Sequence, residues 1–592
     1  MIKNVIKILF LFSFMLSCTV VNAQRKRSTN KAKHVVHVKK EKKKGPKSQG
    51  GGERGNESSS GEQTTVVKLS NDTPRLGSVT VFASFKPSLR SAAKINFTAS
   101  APEMDTNRFT LNYNIPAQNL IFSYQPVPIK PLALTSDSEF TWQNHQYIKA
   151  GFGNFTTPYF ETGLAFGHPS NALYTIFGKF VSSKGSIPFQ EYTKANLKLS
   201  GAFAGITNHE LLASITYNLC NQNKYGVNPK SGYAFSKDSL AQNFNLIEAD
   251  ISLHSKTENS YGVTYHPQIK ASYFFDNNNA NEINAIIKAP ITKNISDATS
   301  FNLGLNADIS SYTAKQFKIA NNIFSIAPSI KIKARDYAIN LGVQPTWDNS
   351  VFAFLPNIFG EYKLTDETLI LTGGWLGYFQ KNNYKNLAAL NPFIEQPSLF
   401  QNTKISEIFA GLKGSVEKHF TYNAQLSFLK FTNQVLFVND SASQKSQTFN
   451  ILYEPVLNAF RISGEVGYTE KEKFSAIAAL KYTQFTSQQL YPKAYGYIPL
   501  EITGTLKYKL MKDIFLKSDL FFMSGSDYRV QTIQTAKTGA AFDLNIGAEY
   551  KVLSKLNVYL DFNNLFNNQY QRWNQYNVLG FNIVGGVVYS FH

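Results

Sequence analysis

The sequence is poor in the residues that staple a fold or cluster around metal. It holds two cysteines, four tryptophans and five methionines in 592 residues. Cys18 lies inside an apolar N-terminal run, so a chain cleaved after that run keeps only Cys220. A single thiol excludes an intramolecular disulfide and a thiolate metal cluster, and it argues against a small stapled secreted fold. No segment after the N-terminal run offers 18 uninterrupted apolar residues, so helical membrane spans are excluded. Histidines such as His34, His37, His145, His209, His254, His266 and His419 fall in no metal-ligand spacing and no His-Glu-x-x-His pattern. No candidate nucleophile carries local signature residues. The expectation is a protein that is not an enzyme, with no catalytic, cofactor-binding or metal residues and no cofactor. The sequence assigns no ligand-binding residue.

What is present suits strands. Apolar residues make up 43%, the mean hydropathy is −0.23, and aromatics reach 14% with 47 Phe and 31 Tyr. A closed barrel whose lipid-facing and lumen-facing residues alternate keeps such a modest average, and Tyr and Phe suit its strands and interfacial girdles. Period-two segments support this. Phe542, Leu544, Ile546, Ala548 and Tyr550 alternate with Asp543, Asn545, Gly547, Glu549 and Lys551. Ile502, Leu506, Tyr508 and Leu510 alternate with Glu501, Thr503, Thr505, Lys507 and Lys509. Soluble sandwiches share that alternation, so connection lengths must discriminate. Working back from the C-terminus, alternate connections are short, at residues 552–555, 511–513, 469–472, 416–418, 364–367, 334–336 and 294–297. The intervening ones are mostly longer, at 564–577, 524–538, 486–498, 381–401 and 220–242. Short turns on the periplasmic side and longer outer loops are the habit of outer-membrane barrels. Carrying the alternation back to His145 predicts an all-β, antiparallel, up-and-down transmembrane β-barrel of about 22 strands. The stretch 447–468 fits least well; it reads as a loop stub plus one strand, with Pro455 outside the ladder.

The two ends agree. Lys3 and Lys7 precede an apolar run at residues 8–16, too short to span a bilayer. Val21-Asn22-Ala23 then offers small residues for cleavage before Gln24, the pattern of a secretory signal peptide. A rival reading is a lipoprotein signal at Met15-Leu16-Ser17-Cys18, to which leucine before the serine fits poorly. At the other end, Gly586-Val587-Val588-Tyr589-Ser590-Phe591 places aromatics at alternate positions on one strand face. It resembles the C-terminal signal read when outer-membrane barrels are inserted; the alternative is the final strand of a soluble β-protein.

The net charge of +20 is concentrated. Residues 24–70 hold 13 Lys or Arg against 4 Glu, including Arg25-Lys26-Arg27 and Lys42-Lys43-Lys44, followed by a Gly/Ser-rich run. Little there can form a core, so residues 24–65 read as a disordered basic periplasmic tail. Its candidate partners are anionic lipid headgroups or cell-wall polymer; nucleic acid is not expected for an exported chain. Residues 66–142, with Pro87, Pro102, Pro116, Pro126, Pro128 and Pro131, read as a proline-containing segment that either fills the lumen or links at the periplasmic mouth. Domains are therefore assigned as 1–23, 24–65, 66–142 and 143–592. Asp276-Asn277-Asn278-Asn279 is oxygen-rich and open to calcium, but it lacks EF-hand spacing and reads as a solvated outer loop.

Asp561-Phe562-Asn563-Asn564-Leu565-Phe566-Asn567-Asn568-Gln569-Tyr570, with Trp573 and the final strand, resembles the C-terminal hallmark of TonB-dependent receptors. Tyr147-Ile148-Lys149-Ala150-Gly151-Phe152-Gly153-Asn154-Phe155, with Phe85-Lys86-Pro87 and Tyr113-Asn114-Ile115-Pro116, is similar to a Bacteroidetes group of receptor-like barrels. The resemblance spans roughly residues 85–591. It implies a 22-strand barrel in the outer membrane of a Gram-negative cell, contact with outer-membrane lipid, and transport or substrate binding. The alternative is a structural or assembly scaffold for other envelope proteins. The family's plug domain has no counterpart motif here, and only Thr64-Thr65-Val66-Val67-Lys68 resembles a TonB box, so TonB-type coupling is an open expectation. The mature chain is expected to begin at Gln24. Intact mass spectrometry of the purified native protein checks this: the mass of 24–592 supports the reading, and a diacylated Cys18 contradicts it.

Overall fold

In the computed structural model, the described residues are 146–226, 235–417, 419–439, 447–471, 473–530 and 534–591. The signal peptide, the basic tail with His34 and His37, Cys18, the TonB-box-like residues, the proline-containing segment and His145 all lie outside them. What is described is built on antiparallel strands, β1 to β25 in chain order. Each long strand hydrogen-bonds to its neighbours in sequence, as expected where hairpin connections join alternating segments. β7 (Val263–Tyr265) and β8 (Gln268–Asp276) both pair with β9 (Asn281–Asn294) and share one stave, broken at His266-Pro267. β21 (Asp527–Arg529) and β22 (Thr535–Lys537) form a separate hairpin in a loop. The wall is therefore a closed antiparallel barrel of 22 staves.

Closure is made by β1 (Gln146–Gly153) against β25 (Asn582–Phe591), which pair over the whole length of β1, from Gln146 opposite Phe591 to Gly153 opposite Val584. The seam needs close approach. Gly151 faces Gly586, and a Cβ on Gly586 would lie 2.0 Å from the Ala150 carbonyl oxygen. Closure removes both free edges, which a sheet of this width would otherwise leave open to aggregation.

The wall is oily outside and polar inside. On β6 (Ala241–Ser255), Ile247 and Ile251 point outward, 45% and 53% exposed, while Glu248, Asp250 and Ser252 alternate with them. On β13 (Val351–Thr365), Phe352, Phe354 and Ile358 are exposed, and Leu355 between them is buried. An exposed apolar belt of this extent on a closed barrel matches hydrocarbon, because each isoleucine moved from water contributes about 1.5–3 kcal/mol. Aromatics gather near the short-turn end. Tyr468 lies 5.8 Å from Phe474, and Phe474 lies 6.0 Å from Tyr508. Tyr337 faces Tyr362 across β12 (Tyr337–Asp348) and β13. This is the girdle expected at a membrane interface.

The seven short turns expected from sequence all connect consecutive staves at one end of the barrel. The five longer connections all fall at the other end, together with four of two to four residues at 154–156, 277–280, 315–316 and 349–350. The difficult stretch resolves into one strand, β17 (Asn450–Glu470), which contains Pro455. Its ladder to β16 (Phe420–Val438) steps from Thr432–Val456 to Gln434–Glu454, passing over Pro455 opposite Asn433, whose φ is +57°. The missing N–H of proline is tolerated because the ladder to β18 (Phe474–Gln488) starts only at Leu457.

Gly586→Val places two methyl groups against the β1 backbone. It is expected to destabilise the closed barrel by about 1–3 kcal/mol or more by overpacking. The measurement is the fraction of folded, heat-modifiable protein on semi-native gels after refolding; wild-type yield from the variant contradicts the seam geometry.

Candidate functional site: a roofed lumen chamber

The long-loop end is roofed by its own connections. Residues 381–402 turn into the barrel and carry a short helix, α2 (Tyr384–Leu390); α1 (Lys237–Leu240) is a single turn in an earlier loop. A seven-residue helix is marginal alone, and this one is held at both ends. Asn383 caps it by accepting from the Asn386 amide, and the Asn391 amide donates to the Leu387 carbonyl. Its apolar face enters an aromatic cluster. Tyr384 meets Tyr312 and Phe274 at 5.2 Å, and Phe393 stacks on Tyr576 at 3.7 Å. Trp573 packs against Phe437 at 5.2 Å and Phe449 at 5.5 Å. The cluster joins side chains of β6, β8, β10 (Thr299–Ala314), β16 and the 564–581 loop, so it ties together distant arcs of the wall.

Polar latches fix the roof. Lys381, 1% exposed, donates to the carbonyls of Asp308 (2.9 Å) and Asn321 (2.6 Å) and pairs with the Asp308 carboxylate at 3.1 Å. Its burial lowers the ammonium pKa, and the Asp308 carboxylate opposes that shift. The Tyr384 amide donates to Glu282 at 2.7 Å and its hydroxyl to Asp276 at 2.6 Å. Gln396 Nε2 donates to the same Asp276 oxygen at 2.9 Å, while the other oxygen accepts the amides of Asn278 and Ala280. Asp276 is 7% exposed. The expected solvated loop is thus corrected: Asn277 and Asn279 are exposed, but Asp276 is a buried anchor with four donors. The consecutive Asp276-Asn277-Asn278-Asn279 side chains give the oxygen-rich look; the partners of Asp276 on residues 384 and 396 lie more than a hundred positions away.

Beneath this roof lies a chamber of about 1090 Å³. Asp543 and Asn545, expected to face inward, line it. Glu549 also faces inward but is bound to Asn557 away from the chamber lining. Lys507 and Lys509 share the inner face with their partners Lys517 and Phe515, and of these four only Lys517 reaches the chamber. Asp561 from the receptor-like motif lines it as well, held by Lys517 at 2.7 Å and Lys149 at 3.4 Å.

The rest of that motif builds a loop. Asn564, with φ +49°, donates to the carbonyls of Asn568 and Leu579 and accepts the Asn568 amide. Asn567 accepts the Phe581 amide, and Tyr570 donates to Asp543 at 2.8 Å. Short polar side chains that tolerate positive φ and bond their own backbone explain why asparagine recurs there. Arg572 follows, donating to the Gly496 carbonyl at 2.9 Å; burial pushes its guanidinium down to about 10, so it stays charged at neutral pH.

Among the described residues the histidines form one pair and no larger cluster. His209 bonds Tyr265 at 2.7 Å, the rings of His254 and His266 lie 5.1 Å apart, and His419 bonds the Thr469 carbonyl. Among the described residues no three His, Cys, Asp or Glu side chains come together as a metal site. Cys220 is half-buried and lines the chamber.

No protein-family model matches the sequence, and no curated protein matches it. Solved structures do match the fold. The FrpB iron transporter from Neisseria meningitidis (F5-1 variant) superimposes with a TM-score of 0.60 at 9% identity, over 76% of this chain and 83% of that one. The siderophore receptor PirA from Acinetobacter baumannii gives 0.59 at 10% identity, over 77% and 81%. The pyoverdine outer-membrane receptor FpvA from Pseudomonas aeruginosa gives 0.58 at 9%, over 77% and 79%. At these identities the likeness is one of fold, a closed antiparallel β-barrel.

Asp276→Ala leaves the Tyr384 hydroxyl, Gln396 and two amides without their acceptor. Hydrogen bonds to a charged group contribute about 1.5–3 kcal/mol each, so the roof is expected to loosen while the barrel persists. Limited proteolysis should show new cleavage within residues 381–402 in the variant, and unchanged protection contradicts the latch.

Proposed function

We propose that the protein is an outer-membrane receptor-type transporter that binds a solute in the lumen chamber and passes it between the two ends of the barrel. The observation that carries this reading is the roofed chamber itself. A scaffold needs a wall, but it does not need a large cavity with charged and aromatic side chains on its lining, roofed by an inward-folded connection with buried latches. Pockets of several hundred Å³ with a few convergent polar groups are the usual form of solute sites. The fold likeness to an iron transporter and to siderophore receptors supports a transport class and leaves the substrate open. In this reading the short-turn end faces the periplasm, with the N-terminal tail on that side, and the long-loop end faces outward. Residues 381–402 act as the outer gate. Coupling through residues 64–68 to a TonB-type energiser belongs to the same proposal.

Planar-bilayer recording tests it. Replacing residues 383–398 by a short Gly-Ser linker is expected to convert rare openings into a persistent conductance, and energiser deletion in cells is expected to abolish solute-dependent accumulation. A variant that conducts no more than wild type, isolated with a stoichiometric envelope partner, would instead support the scaffold reading.

A further inference from the structure

The chamber wall is unevenly charged. Its lining includes Lys179, Lys194, Lys385, Arg461, Lys481, Lys517 and Arg572 against Glu501, Asp519, Asp543 and Asp561. The acids on one arc are already engaged. Asp561 is paired with Lys149 and Lys517, Asp543 accepts from Tyr570, and Asp519 accepts from Thr505 at 3.0 Å.

On another arc Arg461, Lys481 and Arg572 line the chamber. Arg461 on β17 stands opposite Thr483 on β18, and Lys481 stands opposite Ser463, so the two inward side chains are diagonal neighbours on adjacent strands. Arg461 is held by Thr483 at 3.3 Å. Arg572 reaches the same region from the roof, its guanidinium 4.1 Å from the Trp573 ring centroid. Arg572 is anchored on the Gly496 carbonyl, next to Tyr497, whose ring lies 5.7 Å from that of Phe485 on the same strand as Lys481. Glu501 accompanies the trio, 4.0 Å from Lys481. Among the described lining residues, these three cations stand with Glu501 in a cavity with low-dielectric walls, and such an excess of positive charge focuses a positive potential. Beside them stand Phe485 and Tyr497, 5.7 Å apart, with Phe431 and Tyr378 also on the lining. Arginine forks match planar oxyanions, and the neighbouring rings offer faces to a flat apolar body.

We propose that this sector is the specificity element of the chamber, and that it selects a solute bearing at least two oxyanion groups on an aromatic or apolar body. Arg461 and Arg572 hold the oxyanions, Lys481 adds charge, and Phe485 and Tyr497 cover the body. The proposal rests on the chamber being a solute site, and it adds the chemical class of what enters.

Isothermal titration calorimetry on the full chain in neutral detergent tests it. The probes are benzene-1,3,5-tricarboxylate, benzene-1,3,5-trisulfonate, inorganic pyrophosphate and neutral benzamide. The aromatic polyanions are expected to bind, with affinity falling as salt rises, and the better of the two names the oxyanion. Pyrophosphate should bind more weakly than either because it lacks the ring. Arg461→Gln with Lys481→Gln is expected to weaken binding at least about tenfold, the loss of one or two charge-assisted hydrogen bonds. Glu501→Gln should tighten it, a change that misfolding cannot mimic. Equal affinity for benzamide, binding indifferent to both variants, or no binding of any polyanion would overturn the proposal. A protein that carries neutral solutes yet ignores these anions would overturn only the assigned class and leave the transport reading standing.

Discussion

Closure of the sheet on itself is the constraint on which everything else depends. A wall of 22 staves has one seam, and that seam is made where two glycines let β1 and β25 approach. With the seam formed, every stave of the wall is paired on both sides, and an apolar exterior becomes compatible with hydrocarbon. The same closure creates an inside, where Lys149, Asp561 and Lys517 can pair away from bulk water. Outer apolar rows, inner polar rows and a lumen are three consequences of one geometric event.

The second layer of organisation is the roof. A lumen of this width is not filled by wall side chains alone. The described part of the chain answers with a connection that folds inward, an aromatic cluster, and carboxylates buried against several donors each. Glu454 shows the same device as Asp276: fully buried, it accepts the amides of Gln489, Leu490 and Tyr491 and so pins the next loop. Buried carboxylates are costly unless fully bonded, so their presence at the mouth marks places where loop position is specified. A latch of hydrogen bonds to one side chain is also easier to release cooperatively than a continuous strand ladder.

Much of the wall was legible in the sequence, and the reason is periodicity. Alternation at residues 542–550 and 502–510, and the short turns read at 511–513 and 552–555, are local signals that need no knowledge of partners. Pro455 was readable in kind, since a proline must escape a ladder, though not in its place within a long strand. The roof was hardly legible. Asn383 followed by Tyr384-Lys385-Asn386-Leu387-Ala388-Ala389-Leu390 is a capped, leucine- and alanine-containing segment, a one- to two-turn helix signal that is weak inside a connection as long as 381–401. Asp276 looked like a solvated acid because its decisive partners are distant in sequence. Arg461, Lys481 and Arg572 gave no signal at all, because only stave order and an inward loop bring them together.

The central claim is that the barrel's apolar rows face lipid while its polar rows enclose water. Site-directed spin labelling in reconstituted bilayers reads this directly. With Cys220 replaced by serine, nitroxides at position 251 and at position 250 occupy opposite faces of the same strand. The account predicts that the label at 251 is relaxed strongly by oxygen and weakly by a water-soluble nickel complex, with the reverse at 250. Equal accessibility to the nickel complex at both positions would contradict it.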